Sequence, residues 1–278
     1  MKVLSVICAT LVVGLSAHAE EMEQASWFDL HQGWFDFHAF YTFDVSSAYV
    51  CRGKIFEDRP IQVNELAADV GFGPFGRLGF YHWDYSSLSG DFQDKYRRFM
   101  PETDWGIYYT YKISFADDWW LNNKVQALWL TYNGGRPKSD PHDYEWRFEQ
   151  TLGTPYLNPW WRVRRNFEAS DFVSFEIGAK RGFEIFERFS VMPNVWATMG
   201  DDVFLRTRYG RRPGGGDYSH GLCSVNGELT AEYAFTECAS IHLTIGEYLA
   251  LSQQGRGNLH SPMHRNLTYF TLGFTLQF

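Results

Sequence analysis

The sequence predicts an all-β fold, a transmembrane antiparallel up-and-down β-barrel of about twelve strands. Three observations predict it. Apolar and polar residues alternate over one stretch after another, which sends successive side chains to opposite faces of a strand. Short connections alternate with long polar ones, as in a membrane barrel with its turns on one side and its loops on the other. Trp and Tyr gather at both ends of the alternating stretches, where amphipathic rings favour the headgroup layers.

The chain has 278 residues, of which 45% are hydrophobic and 18% aromatic. After the N-terminus no apolar run is long enough for a membrane-spanning helix, which needs about 18 residues or more. The mean hydropathy of −0.34 is an average over two opposite faces. The N-terminal residues predict a secretory signal peptide, with Lys2 as the charged region, "VLSVICATLVVGL" as the apolar core and "AHA" at Ala17–Ala19 as the cleavage site. The expected division is a signal peptide over 1–19, cleaved after Ala19, a periplasmic segment over 20–34 and one barrel over 35–278. Removing Lys2 from 25 Lys and Arg leaves 24 against 33 Asp and Glu, a net charge of −9. That balance argues against nucleic acid as a partner, because phosphate binding needs a basic patch. Cys51, Cys223 and Cys238 remain. This odd, sparse set is no disulfide framework, and a single Cys51–Cys223 bond stays open.

Candidate strands lie near 35–51, 61–72, 77–86, 104–114, 124–133, 143–152, 159–168, 171–182, 189–198, 219–235, 240–251 and 267–278. The first places Phe37, Ala39, Tyr41, Phe43, Val45 and Tyr49 on one face and His38, Thr42, Asp44 and Ser46 on the other, with Phe40 as an exception. The fourth sets Trp105, Ile107, Tyr109, Tyr111 and Ile113 against Asp104, Gly106, Thr110 and Lys112. The sixth and eighth repeat the pattern, while the second and fifth show it weakly. The short connections are "GPFG", "FADDWWLNN", "GTPYLNP", "FEIFER" and "TECA". One expected aromatic belt holds Trp34, Trp119, Trp120, Trp160 and Trp161 at the short-turn ends. The other holds Trp83, Tyr85, Trp105, Tyr144 and Trp146 at the long-loop ends.

The last stretch carries Phe270, Leu272, Phe274, Leu276 and Phe278 on one face. A sheet in hydrocarbon must close to pair its backbone, so this strand is expected to pair with the first and to present these residues to lipid. The pattern resembles the C-terminal signature of Gram-negative outer-membrane β-barrel proteins. That resemblance implies a bacterial outer-membrane location, lipid and lipopolysaccharide surroundings, and insertion by the barrel-assembly machinery. A second stretch, "SSAYVCRGKIFEDRPIQ", resembles the first-strand region of the TorF-like porin family through Ser46, Tyr49, Arg52, Gly53, Pro60 and Gln62. Cys51 stands where that pattern has an aromatic residue. The resemblance implies a porin-like barrel; the expected function of a twelve-stranded barrel is passive diffusion of small hydrophilic solutes, with no cofactor and no reaction.

If the apolar faces meet lipid, the opposite faces line a lumen. Placing Arg or Lys on the lipid side near the midplane costs about 2–4 kcal/mol. Glu145, Arg147, Glu149, Arg162, Arg164, Glu176 and Lys180 are therefore expected to point inward. A turn centred between Pro155 and Tyr156 would set Arg147 opposite Arg164 and Glu149 opposite Arg162. A loop centred near Ala169 would set Glu176 opposite Arg162 as well. Such a mixed-charge ladder either sets the polarity and constriction of a channel or rigidifies a narrow barrel through facing charges. Phe40, Phe80 and Trp160 are expected to face inward beside it.

The alternatives are an outer-membrane barrel enzyme, such as a lipid hydrolase or a lipid A-modifying enzyme, and a structural or binding barrel without an open pore. No His is followed at the second position by Ser, so the spacing of barrel lipases is missing. Ser240-x-His242 has the reverse order. Asp140, His142 and Asp143, and Asp217 with His220, read as solvated loop residues. "RRPGGGDYSHG" lacks the Lys-Ser/Thr end of a phosphate-binding loop. Arg206, Arg208, Arg211 and Arg212 read as a basic loop able to meet lipopolysaccharide phosphates. No Cys/His group has zinc spacing, so no metal is expected.

Overall fold

The computed structural model describes residues 35–51, 54–88, 102–132, 142–167, 171–209, 221–251 and 266–278. In chain order they form β1 (Asp36–Ser46), β2 (Tyr49–Cys51), β3 (Lys54–Glu57), β4 (Ile61–Gly71), β5 (Arg77–Ser87), β6 (Glu102–Ala116), β7 (Trp119–Tyr132) and β8 (His142–Gly153). There follow β9 (Asn158–Asn166), β10 (Phe172–Lys180), β11 (Phe183–Phe186), β12 (Phe189–Gly200), α1 (Asp202–Tyr209), β13 (Gly221–Thr236), β14 (Ala239–Ala250) and β15 (Leu267–Gln277). Twelve of the strands pair antiparallel with their neighbours in chain order, and β10 pairs with β12 while β1 pairs with β15. The sheet is thereby closed, leaving no edge whose backbone would have to be satisfied in hydrocarbon.

The closing seam runs from Phe40 opposite Gln277 to Ser46 opposite Thr271. Beyond it, Ala39 and Phe278 exchange both backbone hydrogen bonds, at 3.0 and 2.8 Å. Phe270, Leu272, Phe274 and Leu276 share one face with Tyr41, Phe43 and Val45 across this seam. That face is the outer one, with Phe270 51% and Leu272 53% exposed.

The two walls differ in composition as period two requires. Outward positions include the large apolar residues Ile107, Trp129, Trp146, Ile177, Val195, Leu229 and Leu243, all exposed. Inward positions include Asp104, Gln126, Glu145, Arg164, Ser174, Glu176, Thr198 and Asn226, all buried.

Each of the twelve candidate strands has a counterpart, and the differences are local. β7 begins at Trp119, five residues earlier than expected, and β6 runs on to Ala116. The β6–β7 turn is only Asp117–Asp118; adjacent Asn122 and Asn123 break the alternation, yet their backbones still pair with Lys112 and Tyr111. The first expected strand stops at Ser46, and β2 and β3 pair with each other as a separate two-stranded sheet. Four residues of the expected belts face the lumen instead. Trp83 and Tyr85 pack on Tyr49 of β2, at 5.4 and 4.7 Å between ring centroids. Trp120 shares a face with Lys112, whose ammonium lies 4.8 Å from its ring centroid. Trp160, expected both in a belt and among the inward aromatics, is inward: it is 6% exposed and donates its indole N–H to Asn194 Oδ1 at 3.1 Å. Phe80, expected to face inward, faces outward: it pairs with Ile107 and is 39% exposed. The expected Trp34 lies outside the described residues.

Candidate functional site: the lumen wall

The inner wall of β7–β10 is organised by one tight turn. Thr154 Oγ1 accepts the N–H groups of Tyr156 and Leu157 at 3.2 and 3.0 Å and donates to the Leu157 carbonyl at 2.6 Å. Asn158 Oδ1 accepts the Thr154 N–H at 3.3 Å. A turn held by its own side chains sets the register of the strands it joins. Arg147 consequently lies opposite Arg164, and Glu149 opposite Arg162. On the other side Arg162 lies opposite Glu176.

Charges interleave across these rungs. Arg162 donates from Nε to Glu149 Oε2 at 2.6 Å, pairs with the same carboxylate through Nη2, and donates from Nη1 to Glu176 Oε2 at 3.3 Å. The like charges Arg147 and Arg164 would repel if they met directly. Arg147 turns back along its own strand and forks onto Glu145 Oε1 at 3.0 and 2.7 Å. Arg164 reaches across to Glu176 Oε2 at 3.1 Å, with its Nε 3.9 Å from Glu145 Oε1. Glu145, Arg164 and Glu176 are 0%, 5% and 3% exposed. Charges so far from bulk water persist only when paired. Lys180, level with Asn158 and Asn194, joins the ladder only through its electrostatic interaction with Glu149.

The structure adds residues that sequence reasoning passed over. Lys124 lies opposite Glu149, with its ammonium 4.6 Å from the Tyr108 ring centroid. Tyr108 donates to Asp69 at 2.6 Å. Glu65 of β4 interacts electrostatically with Lys124, Arg147 and Arg162, and Tyr81 of β5 with Arg147 and Arg162. Side chains of β4 and β5 thus approach those of β7–β9 around this arc of the wall. Glu65 and Lys124 belong to the two weakly patterned strands. Their signal was the cost of a charge on the lipid side, which applies to every charged residue of a spanning strand. The remainder of the wall is richer in acids: Asp44 pairs with His242 at 3.1 Å, Glu228 accepts from Tyr269 at 2.5 Å, and Asp36 and Asp69 share Arg77.

Two elements cover parts of this wall near the long-connection end. Ile55 of β3 is fully buried against Tyr248 and Ala250, with Val50 and Leu267 beside them. Tyr49 at the other end of the hairpin packs on β5. The hairpin therefore touches the inner wall at β5 and at β14–β15. Helix α1 buries Phe204 and Leu205 against Phe172 and Cys223. It is capped by Asp201, whose Oδ1 accepts the Phe204 N–H at 2.7 Å. Among the described residues Cys51, Cys223 and Cys238 form no disulfide with one another. Arg206 and Arg208 lie on α1, while Arg52, Gly53, Asp140, Arg211, Arg212, Asp217 and His220 lie outside the described residues. Among the described residues no hydrogen bond joins Ser240 to His242. His142 Nδ1 accepts from Trp129, and Asp143 accepts from Asn166. No group of three or more metal-type side chains converges among the described residues.

Solved structures share this architecture. An outer-membrane channel from Pseudomonas putida F1 is 12% identical, with 88% of this chain and 96% of that chain aligned at a TM-score of 0.50. The NanC porin is 11% identical over 85% and 98% of the two chains, also at 0.50. The fold is that of an outer-membrane porin barrel. At these identities the likeness establishes the fold alone. No protein-family model matches the sequence, and the search of curated proteins finds no match. In this fold the apolar wall faces outward and the charged wall encloses the lumen.

Proposed function

We propose that this porin barrel is a passive channel for small hydrophilic solutes, with the β7–β10 charge ladder lining its narrow part. The observation that carries the reading is a charged arc of the inner wall over β7–β10, in a lumen where charges are paired but not all hydrogen-bonding capacity is used. Gln126 Nε2, Arg164 Nη1, Ser174 Oγ, Thr198 Oγ1 and Asn226 Oδ1 are buried without a hydrogen-bonding partner among the described residues. Buried polar atoms of that kind call for water or a polar solute. Glu145, Arg147, Glu149, Arg162, Arg164, Glu176 and Lys180 would then set the polarity of the passage, with Glu65, Tyr81 and Lys124 narrowing it. Hairpin β2–β3 and α1 restrict entry from the loop side. In this reading the chain is exported by its signal peptide, cleaved after Ala19, and inserted by the barrel-assembly machinery. Recognition there uses Phe270, Leu272, Phe274, Leu276 and Phe278. Outer-membrane lipid and lipopolysaccharide surround it, and it performs no reaction.

Planar-bilayer recording tests the proposal. The purified barrel is expected to insert in discrete conductance steps. Arg162→Glu is expected to shift the reversal potential in a salt gradient toward cations, because charged rings and ladders select ions. Closed bilayers would overturn the channel, and an unchanged reversal potential would remove Arg162 from the narrow part.

A further inference from the structure

We propose that the lumen wall between β9 and β15 carries a binding site for one neutral sugar ring, with the indole of Trp196 as its platform. The inference rests on the channel reading and names a class of solute for it. Two successive rows of inward side chains make the site. Trp160, Gly178, Trp196 and Asn226 stand level on β9, β10, β12 and β13. One step nearer the short turns, Lys180, Asn194, Glu228, Gly246 and Tyr269 stand level from β10 round to β15.

The first row is aromatic. Gly178 lets two indoles approach across β10: a Cβ there would come 2.6 Å from Trp196 Cβ and 2.8 Å from Trp160 Cε2. The ring centroids are 6.4 Å apart, at 46°. Trp160 is buried and held on two sides, by Asn194 at its N–H and by Arg162, 5.4 Å from its ring centroid. Trp196 is only half-buried. Its ring keeps apolar surface open to a polar lumen, and covering that surface with another apolar face is favourable.

The second row supplies hydrogen bonds beside that platform. Asn194 Oδ1 accepts the Trp160 N–H at 3.1 Å, the Asn194 side chain also bonds Glu228, and Glu228 Oε1 accepts from Tyr269 at 2.5 Å. Tyr269 reaches that carboxylate by lying across Gly246, where a Cβ would overlap its ring. These contacts fix the amide and the carboxylate without using all their capacity, since each offers about four hydrogen-bonding positions. Asn194, Glu228 and Lys180 all keep surface open to the lumen. An amide and a carboxylate side by side match adjacent hydroxyl groups, and an indole face matches the C–H face of a pyranose. Charge decides which sugar. Glu228 and Lys180 offset each other, and Arg162 is already shared between Glu149 and Glu176. A site without net charge gains nothing from a carboxylate on the ligand, and Glu228 repels one.

The test is saturation-transfer NMR on the full-length barrel in detergent, with glucose, glucuronate or adenosine as the probe. Glucose is expected to receive saturation chiefly on the protons of one ring face, and to bind about tenfold more tightly than glucuronate. Trp196→Ala is expected to weaken glucose by about tenfold, the upper end of an aromatic stacking contact. Trp196→Phe keeps a ring face and is expected to recover most of that loss. Trp196→Leu keeps bulk without a ring and serves if the alanine variant does not fold; heat-modifiable gel migration reports folding. Glu228→Gln removes the charge and is expected to bring glucuronate level with glucose. Equal glucose affinity in the parent and the ring-less variants overturns the proposal, as does tighter binding of glucuronate or adenosine than of glucose by the parent. A barrel that conducts in planar bilayers but transfers no saturation to glucose removes the sugar site and leaves the channel. A barrel that binds glucose through Trp196 yet never conducts keeps the site and removes the channel.

Discussion

The inner and outer walls of β8 are built from one segment, yet they obey different rules. Glu145, Arg147 and Glu149 point inward, and Tyr144, Trp146 and Phe148 point outward. In the membrane reading the outward residues need no particular neighbour, since acyl chains solvate any apolar surface; Trp146 is 56% exposed. The inward charges are held in a network in which Arg147, Arg162 and Arg164 meet Glu145, Glu149 and Glu176. Composition suffices for the lipid side. On the lumen side the particular partner matters, because a confined charge that loses its counter-charge cannot recruit bulk water.

The strongest way to break this contrast is to remove one inward partner. Glu176→Gln leaves Arg162 and Arg164 sharing fewer carboxylates and is expected to cost about 3 kcal/mol, read as a lower denaturant midpoint for unfolding from lipid vesicles. The matching outward test places a charge in lipid. Ile107→Arg is expected to cost about 2 kcal/mol in the same assay, whereas Ile107→Leu should be silent. A cost for the second as large as for the first would erase the distinction between the walls.

A smaller effect sharpens it. The outer wall contains one ladder of amides, in which Gln150 Nε2 donates to Asn123 Oδ1 at 2.7 Å and Gln150 Oε1 accepts the Trp161 indole N–H at 3.1 Å. Asn123 Nδ2 donates to the Tyr111 carbonyl at 3.2 Å. Gln150→Leu strands two of these groups and is expected to cost about 1 kcal/mol. Replacing both amides by Leu should recover most of that loss, because lipid accepts apolar side chains without pairing. Ile55→Ser loosens hairpin β2–β3 from Tyr248 while leaving the barrel ladder intact, so it is read by conduction and not by unfolding. Its signature is a larger single-channel conductance, and an unchanged conductance would show that the hairpin does not restrict entry.

The register of the charge ladder was legible because it depends on local quantities. Turn chemistry at Thr154–Asn158 sets one pairing, and period two does the rest, so Glu149, Arg162 and Glu176 could be aligned from sequence. Phe80 was misassigned because neighbouring aromatics on both faces blur the alternation, and only its pairing with Ile107 settles its side. Trp83 and Tyr85 looked like belt residues because Trp at a strand end has the same sequence whether it meets headgroups or an inward hairpin. Glu65 and Lys124 were missed for a different reason: they sit in weakly alternating strands, and their nearness to Arg147 and Arg162 depends on how the barrel closes.

By itself, the sequence determined the strand number, the alternation of faces and the sign of each wall, because these follow from a two-residue period and the cost of charge in hydrocarbon. Only the tertiary structure decided which residues meet across the lumen and where hairpin β2–β3 and helix α1 come to rest. Those features depend on closure of the sheet and on contacts between segments far apart in the chain, which no local pattern encodes.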